Sequence, residues 1–294
     1  MSEFIIITDS CIDLPDDLAT ELELGVIPLS VNVEGKVYRN YLDGREISTS
    51  HFYQLLRKNV IPTTSQVNPN EFVEIMEQYL QKEYDILYIG FSSALSGTYQ
   101  SSLIAKEDLS KKYPERKIIT VDSLSASMGY GLLVTYAARL KKQGRSLEEV
   151  ASWVNENKLR LSHLFTVGDL NHLKRGGRLS SSKAFLGTII RIKPLLHVDK
   201  EGRLIHVAST RGRKASLKKL VDRMAKTIEC PEEQVVYISH GDCLDEVKDL
   251  KAKILERINV KEIIVNHVGP VIGAHSGVGT IAIFYLGTDR FDSY

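Results

Sequence analysis

No stretch of this sequence stays apolar and uncharged for anything like the roughly 20 residues a helix needs to cross a bilayer, so stable membrane insertion is not expected. The opening MSEFIIITDS has only four consecutive apolar residues and no basic run ahead of them, which does not read as a signal peptide. Cysteine is scarce. Cys11, Cys230 and Cys243 make neither a CxxC pair nor an even-numbered set, which argues against a disulfide scaffold and for a reducing, cytoplasmic setting. An excess of either charge is also missing: 38 Lys and Arg stand against 37 Asp and Glu. A nucleic-acid partner would call for a basic surplus with interleaved aromatics, and none is expected. Neither G-x-x-x-x-G-K-[ST] nor G-x-G-x-x-G occurs, which disfavours a nucleotide. There is no heptad array, internal repeat or low-complexity tract.

What is present is an ordinary globular composition, with 43% hydrophobic residues in a chain of 294, enough for two domains with a sizeable core. In the first half, short β-branched runs alternate with amphipathic stretches. FIIITDS (4–10), GVIPLSVNV (25–33), DILYIGFS (85–92) and KIITVDS (117–123) read as strands. NEFVEIMEQYLQKEY, SSLIAKEDLSKKY and MGYGLLVTYAARLKKQG have helical spacing, the last closed by Gly144. Nearly continuous apolar strands separated by helices predict a parallel sheet covered on both faces. VNVEGKVYRN predicts a hairpin at Glu34-Gly35, and Ser146 with Glu149 a capping box opening the next helix. The boundary between domains is placed near residue 160. Beyond it HLFTV, PLLHV, RLIHVAS, QVVYISH, EIIVNHV and TIAIFYLG are strands, some too close together for crossover helices, and PLLHVDKEGRLIHV is a hairpin turning at Lys200–Gly202. The expectation is an α/β protein of two domains. Residues 1–160 form a three-layer α/β/α unit with a parallel sheet, and residues 161–294 a two-layer unit with a mixed sheet, covered on one face by helices in RKASLKKLVDRMAKTI and LDEVKDLKAKILERI.

In an open parallel sheet, ligands bind beyond the C-terminal ends of the strands. Those ends carry Thr8-Asp9-Ser10, Ser92-Ser93 and Asp122-Ser123, and PTTSQ (62–66) precedes a helix beginning near Asn68. Such residues are also ordinary helix caps. Two chemistries fit GFSSALSGTYQSS (90–102). A nucleophile elbow needs G-x-S-x-G; Gly90-Phe91-Ser92-Ser93-Ala94 has Ala in place of the second Gly, with His240 and His275 as later histidines. A serine-dependent hydrolase or acyl transferase using Ser92 or Ser93 is therefore the alternative. The other chemistry is an anion cradle: Ser96 and Gly97 stand at a helix start, where free N–H groups and the helix dipole favour a carboxylate or phosphate.

HVGPVIGAHSGVGT (267–280) reads as a glycine-rich loop in which His275 could donate to an anionic head group, while His267 and His275, with no acidic residue between them, make a poor metal site. Two basic clusters stand out: Lys174, Arg175, Arg178 and Lys183 around a Gly-Gly pair, and Arg211, Arg213, Lys214, Lys218 and Lys219. The second has the look of a solvated helix face, whereas Arg175 and Arg178 could meet a phosphate or an acidic partner.

Together TDSCIDLP, PTTSQ, SSALSGTYQSS, VDSLSASMGYG, LKRGGRLSSSKAFLGTIIRIKP, TRGRKA and GPVIGAHSGVGT resemble the DegV family, which includes the fatty-acid-binding subunits of bacterial fatty acid kinase, and the resemblance runs end to end. It implies a non-enzymatic carrier, without metal or other cofactor, that holds one long-chain fatty acid between its domains. A separate kinase subunit would phosphorylate the bound carboxylate to an acyl phosphate. The resemblance places the carboxylate on Thr64 of TSQ and a serine of the SGT turn, Ser96, with Ser93 the next candidate and Thr63 and Gly97 beside them. The family's histidine falls on His275, and Arg175, Arg178 and Arg211 would dock the kinase subunit. Two features depart from the pattern: His267 has no place in it, and TTSQV lacks the proline that often follows TSQ.

Overall fold

The computed structural model describes residues 3–179, 192–288 and 290. β1 (Phe4–Asp9) leads through a 3₁₀ turn to α1 (Asp16–Glu21), then β2 (Gly25–Ile27), β3 (Ser30–Val33), β4 (Lys36–Arg39) and α2 (Thr49–Arg57). β5 (Thr63–Ser65), α3 (Pro69–Leu80), β6 (Asp85–Gly90), α4 (Thr98–Lys112), β7 (Ile118–Asp122), α5 (Ser127–Lys142) and α6 (Leu147–Asn157) complete the first half. The second half contains β8 (Leu161–Thr166), α7 (Asn171–Arg175), β9 (Ile192–Val198), β10 (Leu204–Arg211), α8 (Arg213–Thr227), β11 (Val235–His240), α9 (Leu244–Leu255), β12 (Glu262–His267), α10 (Pro270–Ser276) and β13 (Ile281–Leu286).

The strands form a parallel sheet in the order β2-β1-β6-β7 and a mixed sheet in the order β10-β9-β8-β13-β11-β12, where only β11 and β12 are parallel. The α/β class and the pairing of a parallel with a mixed sheet are as expected. Every residue of β1 and β6 is buried, the mark of a sheet covered on both faces. α3 and α4 pack together against this sheet, α6 packs on β6 and β7, and α5 packs on α6 and on β8, β11 and β13 of the mixed sheet. On β11 and β13 the two-residue alternation divides the core: Tyr237 and Phe284 join the cluster around α5, while Ile238 and Ile283 join Leu217, Leu220, Met224 and Leu250 of α8 and α9. α5 thus carries one continuous core from the first sheet to the second. The start of α6 and the close of α5 match the sequence reading, with Ser146 and Glu149 in a reciprocal capping box and Gly144 at positive φ.

Two local expectations are corrected and one element is added. Residues 25–33 are two strands in different sheets. Pro28 cannot donate to a ladder, and after it the Leu29 N–H donates to Ser10 Oγ while the chain turns away. β3 then forms the expected hairpin with β4 about Glu34-Gly35, both at positive φ. Residues 63–65, to which the sequence reading gave no element, form a strand that completes the small antiparallel sheet β4-β3-β5, in which Thr64 pairs with Val31. The glycine-rich 267–280 segment is not a loop throughout: Pro270 opens α10, whose last turn holds His275. A third apolar cluster, Val31, Val33, Phe52, Tyr53, Leu56 and Ala274, clamps the small sheet and α2 onto α10. Lys183 and the rest of the 180–191 stretch lie outside the described residues.

Candidate functional site

A cavity of about 390 Å³, within the usual range for small-molecule sites, opens at the C-terminal edge of the parallel sheet. Phe91, Leu95, Ser96 and Gly97 follow β6 into it, Ala126 and Ser127 follow β7, and β5 supplies Thr64. The mixed sheet and α10 form the opposite wall, with Phe165, Val198, Leu204, Phe284, Val271 and His275. Most of this lining is apolar.

One set of its polar groups clusters around Thr64 and the start of α4. Thr64 Oγ1 lies 2.7 Å from His275 Nε2. Burial, and then the charge of Arg178, push the His275 pKa down to about 4, so the ring is neutral at pH 7. Gly97 is the N-cap of α4 and makes no side-chain cap bond. A Cβ here would overlap Gln66 Oε1, so glycine lets the Gln66 amide close over the turn. Ser96 Oγ accepts from the Thr98 N–H at 3.2 Å and lies 2.9 Å from Thr98 Oγ1. Arg178 donates to the carbonyls of Leu95 (3.2 Å) and Gly176 (2.5 Å), tying the loop before α4 to the turn after α7. The cluster presents hydroxyls, a neutral imidazole and a helix N-terminus beside one guanidinium, a set suited to a single anionic head group.

Behind the loop, Asp9 Oδ2 accepts from the Phe91 N–H and the Tyr88 hydroxyl, each at 3.0 Å, and Oδ1 accepts from the Cys11 N–H. Asp13 accepts from Ser127 Oγ at 2.5 Å. Burial pushes the pKa of Asp9 up to about 6 and that of Asp13 up to about 7. The Cys11 thiol, fully buried and next to both acids, is pushed up as well, which makes it unreactive. A carboxyl whose folded-state pKa lies above its unfolded value near 3.9 takes up protons on folding. Its stabilising contribution is complete below the unfolded value and is lost as pH rises through the folded one. Asp13→Asn removes this titration, so the thermal midpoint of the variant relative to the parent should rise between pH 4.5 and pH 8. A constant or falling difference across that range would rule out a raised Asp13 pKa.

Of the residues singled out in the sequence, Thr64, Ser96, Gly97 and His275 meet in this cavity, and Arg178 joins them. Thr63 and Ser93 are exposed and do not line it. Arg175 is exposed beside His172, and Arg211 is exposed at the far end of β10, opposite Ile192. The nucleophile alternative finds no supporting geometry. Ser92 is fully buried and donates to the Gly202 carbonyl at 2.9 Å, while the Ser93 N–H donates to Asp122. Among the described residues no histidine is hydrogen-bonded to either. His240 stacks on His267 at 4.3 Å and accepts from the Cys243 N–H, apart from the cavity polar cluster. The sequence reading missed Gln66 and the polar inner wall made by Ser127, His163, Ser239 and Ser276. A polar residue interrupting the apolar strands LSHLFT and VVYISH was the available signal.

Comparison with known proteins gives one consistent match. The model of the DegV family, described as "Uncharacterised protein, DegV family", matches residues 3–288. A DegV domain-containing protein of Clostridium perfringens is 47% identical over 290 residues, 99% of each chain. One from Streptococcus pyogenes is 37% identical over 284 residues, 97% of this chain and 98% of its own. Among solved structures, a Thermus thermophilus DegV family protein described by its fatty acid binding superposes with a TM-score of 0.86 at 34% identity, covering 97% of this chain and all of its own. DegV from Bacillus subtilis, described as a fatty acid binding protein, gives 0.83 at 29% identity, covering 98% and 100%.

Proposed function

The chain belongs to the DegV family, and from that premise we propose that it is a carrier for a long-chain fatty acid. The acyl chain lies in the cavity between the two halves, 1–160 and 161–294, and the carboxylate sits at the Thr64–Ser96–His275 cluster. The observation that carries this reading is the chemistry of the cavity: a mostly apolar lining with the hydroxyl, imidazole and helix-start groups of Thr64, His275 and Ser96 clustered in it. The fatty acid binding of the Thermus thermophilus and Bacillus subtilis relatives supports it.

The energetics divide the work. A dozen buried methylenes at about 0.8 kcal/mol each contribute on the order of 10 kcal/mol before the cost of association. Hydrogen bonds to a charged acceptor add roughly 1.5–3 kcal/mol each. The tail supplies most of the affinity, and the head contacts set register. With Thr64 and Ser96 donating, the carboxylate stays at the mouth, available to a second protein. We take that protein to be the kinase subunit that converts the carboxylate to an acyl phosphate in the cytoplasm. Arg175 and Arg211, exposed outside the cavity, are its docking groups, and Arg178 balances the carboxylate charge from within.

Protein purified from cells should release a long-chain fatty acid on denaturation, seen by native and denaturing mass spectrometry. Stripped of lipid, it should rebind octadecanoic acid with one-to-one stoichiometry. A lipid-free preparation that takes up no fatty acid would overturn the carrier reading.

A further inference from the structure

An acyl chain threaded through this cavity would not meet an entirely apolar wall. Ser276 is 4% exposed and lines the cavity, yet its Oγ has no hydrogen-bond partner among the described residues. Deeper in, Ser127 and Ser239 also line it, with their Oγ atoms 3.1 Å apart. Ser127 opens α5 at φ +52°, a conformation a non-glycine residue adopts only when its surroundings impose it.

Proton bookkeeping fixes what this wall offers. With Asp13 ionised, the single Ser127 hydroxyl proton goes to its carboxylate, at 2.5 Å the closer and more strongly accepting partner. Ser127 Oγ, its proton so committed, can then only accept across the 3.1 Å to Ser239 Oγ, and among the described residues no other donor reaches the Ser239 lone pairs. Ser276 can both donate and accept. The two serines belong to one stretch of wall: Ser239 pairs with Ala282 of β13, and Thr280, two residues before it, donates to the Ser276 carbonyl at 2.9 Å. A plain methylene chain would seal both hydroxyls away from water with their capacity unused, an arrangement that buried polar groups rarely show. A ligand hydroxyl on this wall would use that capacity, able to donate to Ser239 and to accept from Ser276.

We infer that the inner wall is an oxygen-recognition subsite, and that the preferred ligand is a long-chain fatty acid bearing a hydroxyl group along its chain. The inference rests on the carrier reading and narrows its ligand class. An oxo group, which can only accept, satisfies Ser276 but not Ser239 and ranks second.

The test is a displacement titration of delipidated protein with octadecanoic acid, a series of positional isomers of hydroxyoctadecanoic acid, and the matching oxo acids. At least one hydroxy isomer should bind tenfold or more tightly than octadecanoic acid, and more tightly than its oxo counterpart. In Ser276→Ala, whose lost hydroxyl leaves no broken bond behind, that preference should fall to within threefold, and octadecanoic acid itself should be held more tightly. Ser239→Ala should reduce the hydroxy-over-oxo preference first. If octadecanoic acid binds but no oxygenated isomer is preferred, or the preference survives both substitutions, the subsite is wrong while the carrier reading stands. If no acid binds at all, both fall.

Discussion

Replacing Arg290 by Met should lower the thermal midpoint by roughly 10 °C, the largest stability loss expected of any single side chain in this fold. Arg290 is 1% exposed. Its Nε donates to the Leu161 carbonyl at 3.0 Å, Nη1 to the carbonyls of Leu124 (2.5 Å) and Asp199 (3.2 Å), and Nη2 to the Lys158 carbonyl (2.8 Å) and the Ser125 hydroxyl (2.6 Å). One guanidinium therefore ties together the loop leaving β7, the junction of α6 with β8, and the tip of the β9–β10 hairpin. Arginine suits the position because its planar fork carries five donors in fixed directions. Met fills much of the volume and satisfies none of the acceptors. Leaving several buried acceptors unpaired costs about 3–5 kcal/mol, and at roughly 2–3 °C per kcal/mol for a chain of this size the shift follows. Arg290→Lys, with three donors on a compact head, should recover part of it. A fall of under about 3 °C for the Met variant in a thermal melt would mean that water takes over the acceptors.

Arg290 also marks a limit of reading the sequence alone. It sits four residues from the C-terminus, where nothing in FYLGTDRFDSY signals a buried cation; its role is set by four carbonyls brought together by tertiary folding. The elements that were legible are those whose cause is local. The period-two and helical apolar patterns, the capping box at Ser146 and the Glu34-Gly35 turn each depend on a few neighbouring residues. The elements misread or left unassigned depend on distant partners. β5 exists because Val31 pairs with Thr64, and α10 because the third apolar cluster gives its small-residue face something to cover.

The candidate site divides the same way. Thr64, Ser96 and His275 were legible through motif resemblance, and the fold brings them to one cavity from a strand, a loop and a helix far apart in the chain. Most polar strand ends of the first sheet, by contrast, serve the protein itself: Asp9 holds the Phe91 amide, Ser10 accepts from Leu29, and Asp122 Oδ1 accepts from the amides of Ser93 and Leu124. A hydroxyl at a strand end is equally a cap or a ligand group until packing decides between them. The inner-wall serines were not legible because each stands alone in an apolar segment, and only the sheet register puts Ser239 beside the strand that reaches Ser276.

The largest functional loss is expected from Thr64→Val combined with Ser96→Ala. Each substitution removes a hydroxyl from the head-group cluster while leaving the apolar part of the cavity lining intact. The loss of one donor to a carboxylate costs roughly 1.5–3 kcal/mol, or about a 10- to 150-fold change in Kd. If the two donors act separately the double variant should lose at least 100-fold, nearly all of it as faster release of octadecanoic acid. Thr64→Val also takes from His275 Nε2 its partner at 2.7 Å, so Thr64→Val with His275→Asn should lose less than the sum of the single losses. Tail burial persists in all of these proteins, and so a weak, micromolar-range affinity should remain rather than none. Equilibrium displacement together with release rates, at unchanged thermal midpoint, separates head-group loss from unfolding. Single variants that each lose less than threefold would show that the carboxylate is held elsewhere, and Arg178 at the same end of the cavity would then be the group to replace next.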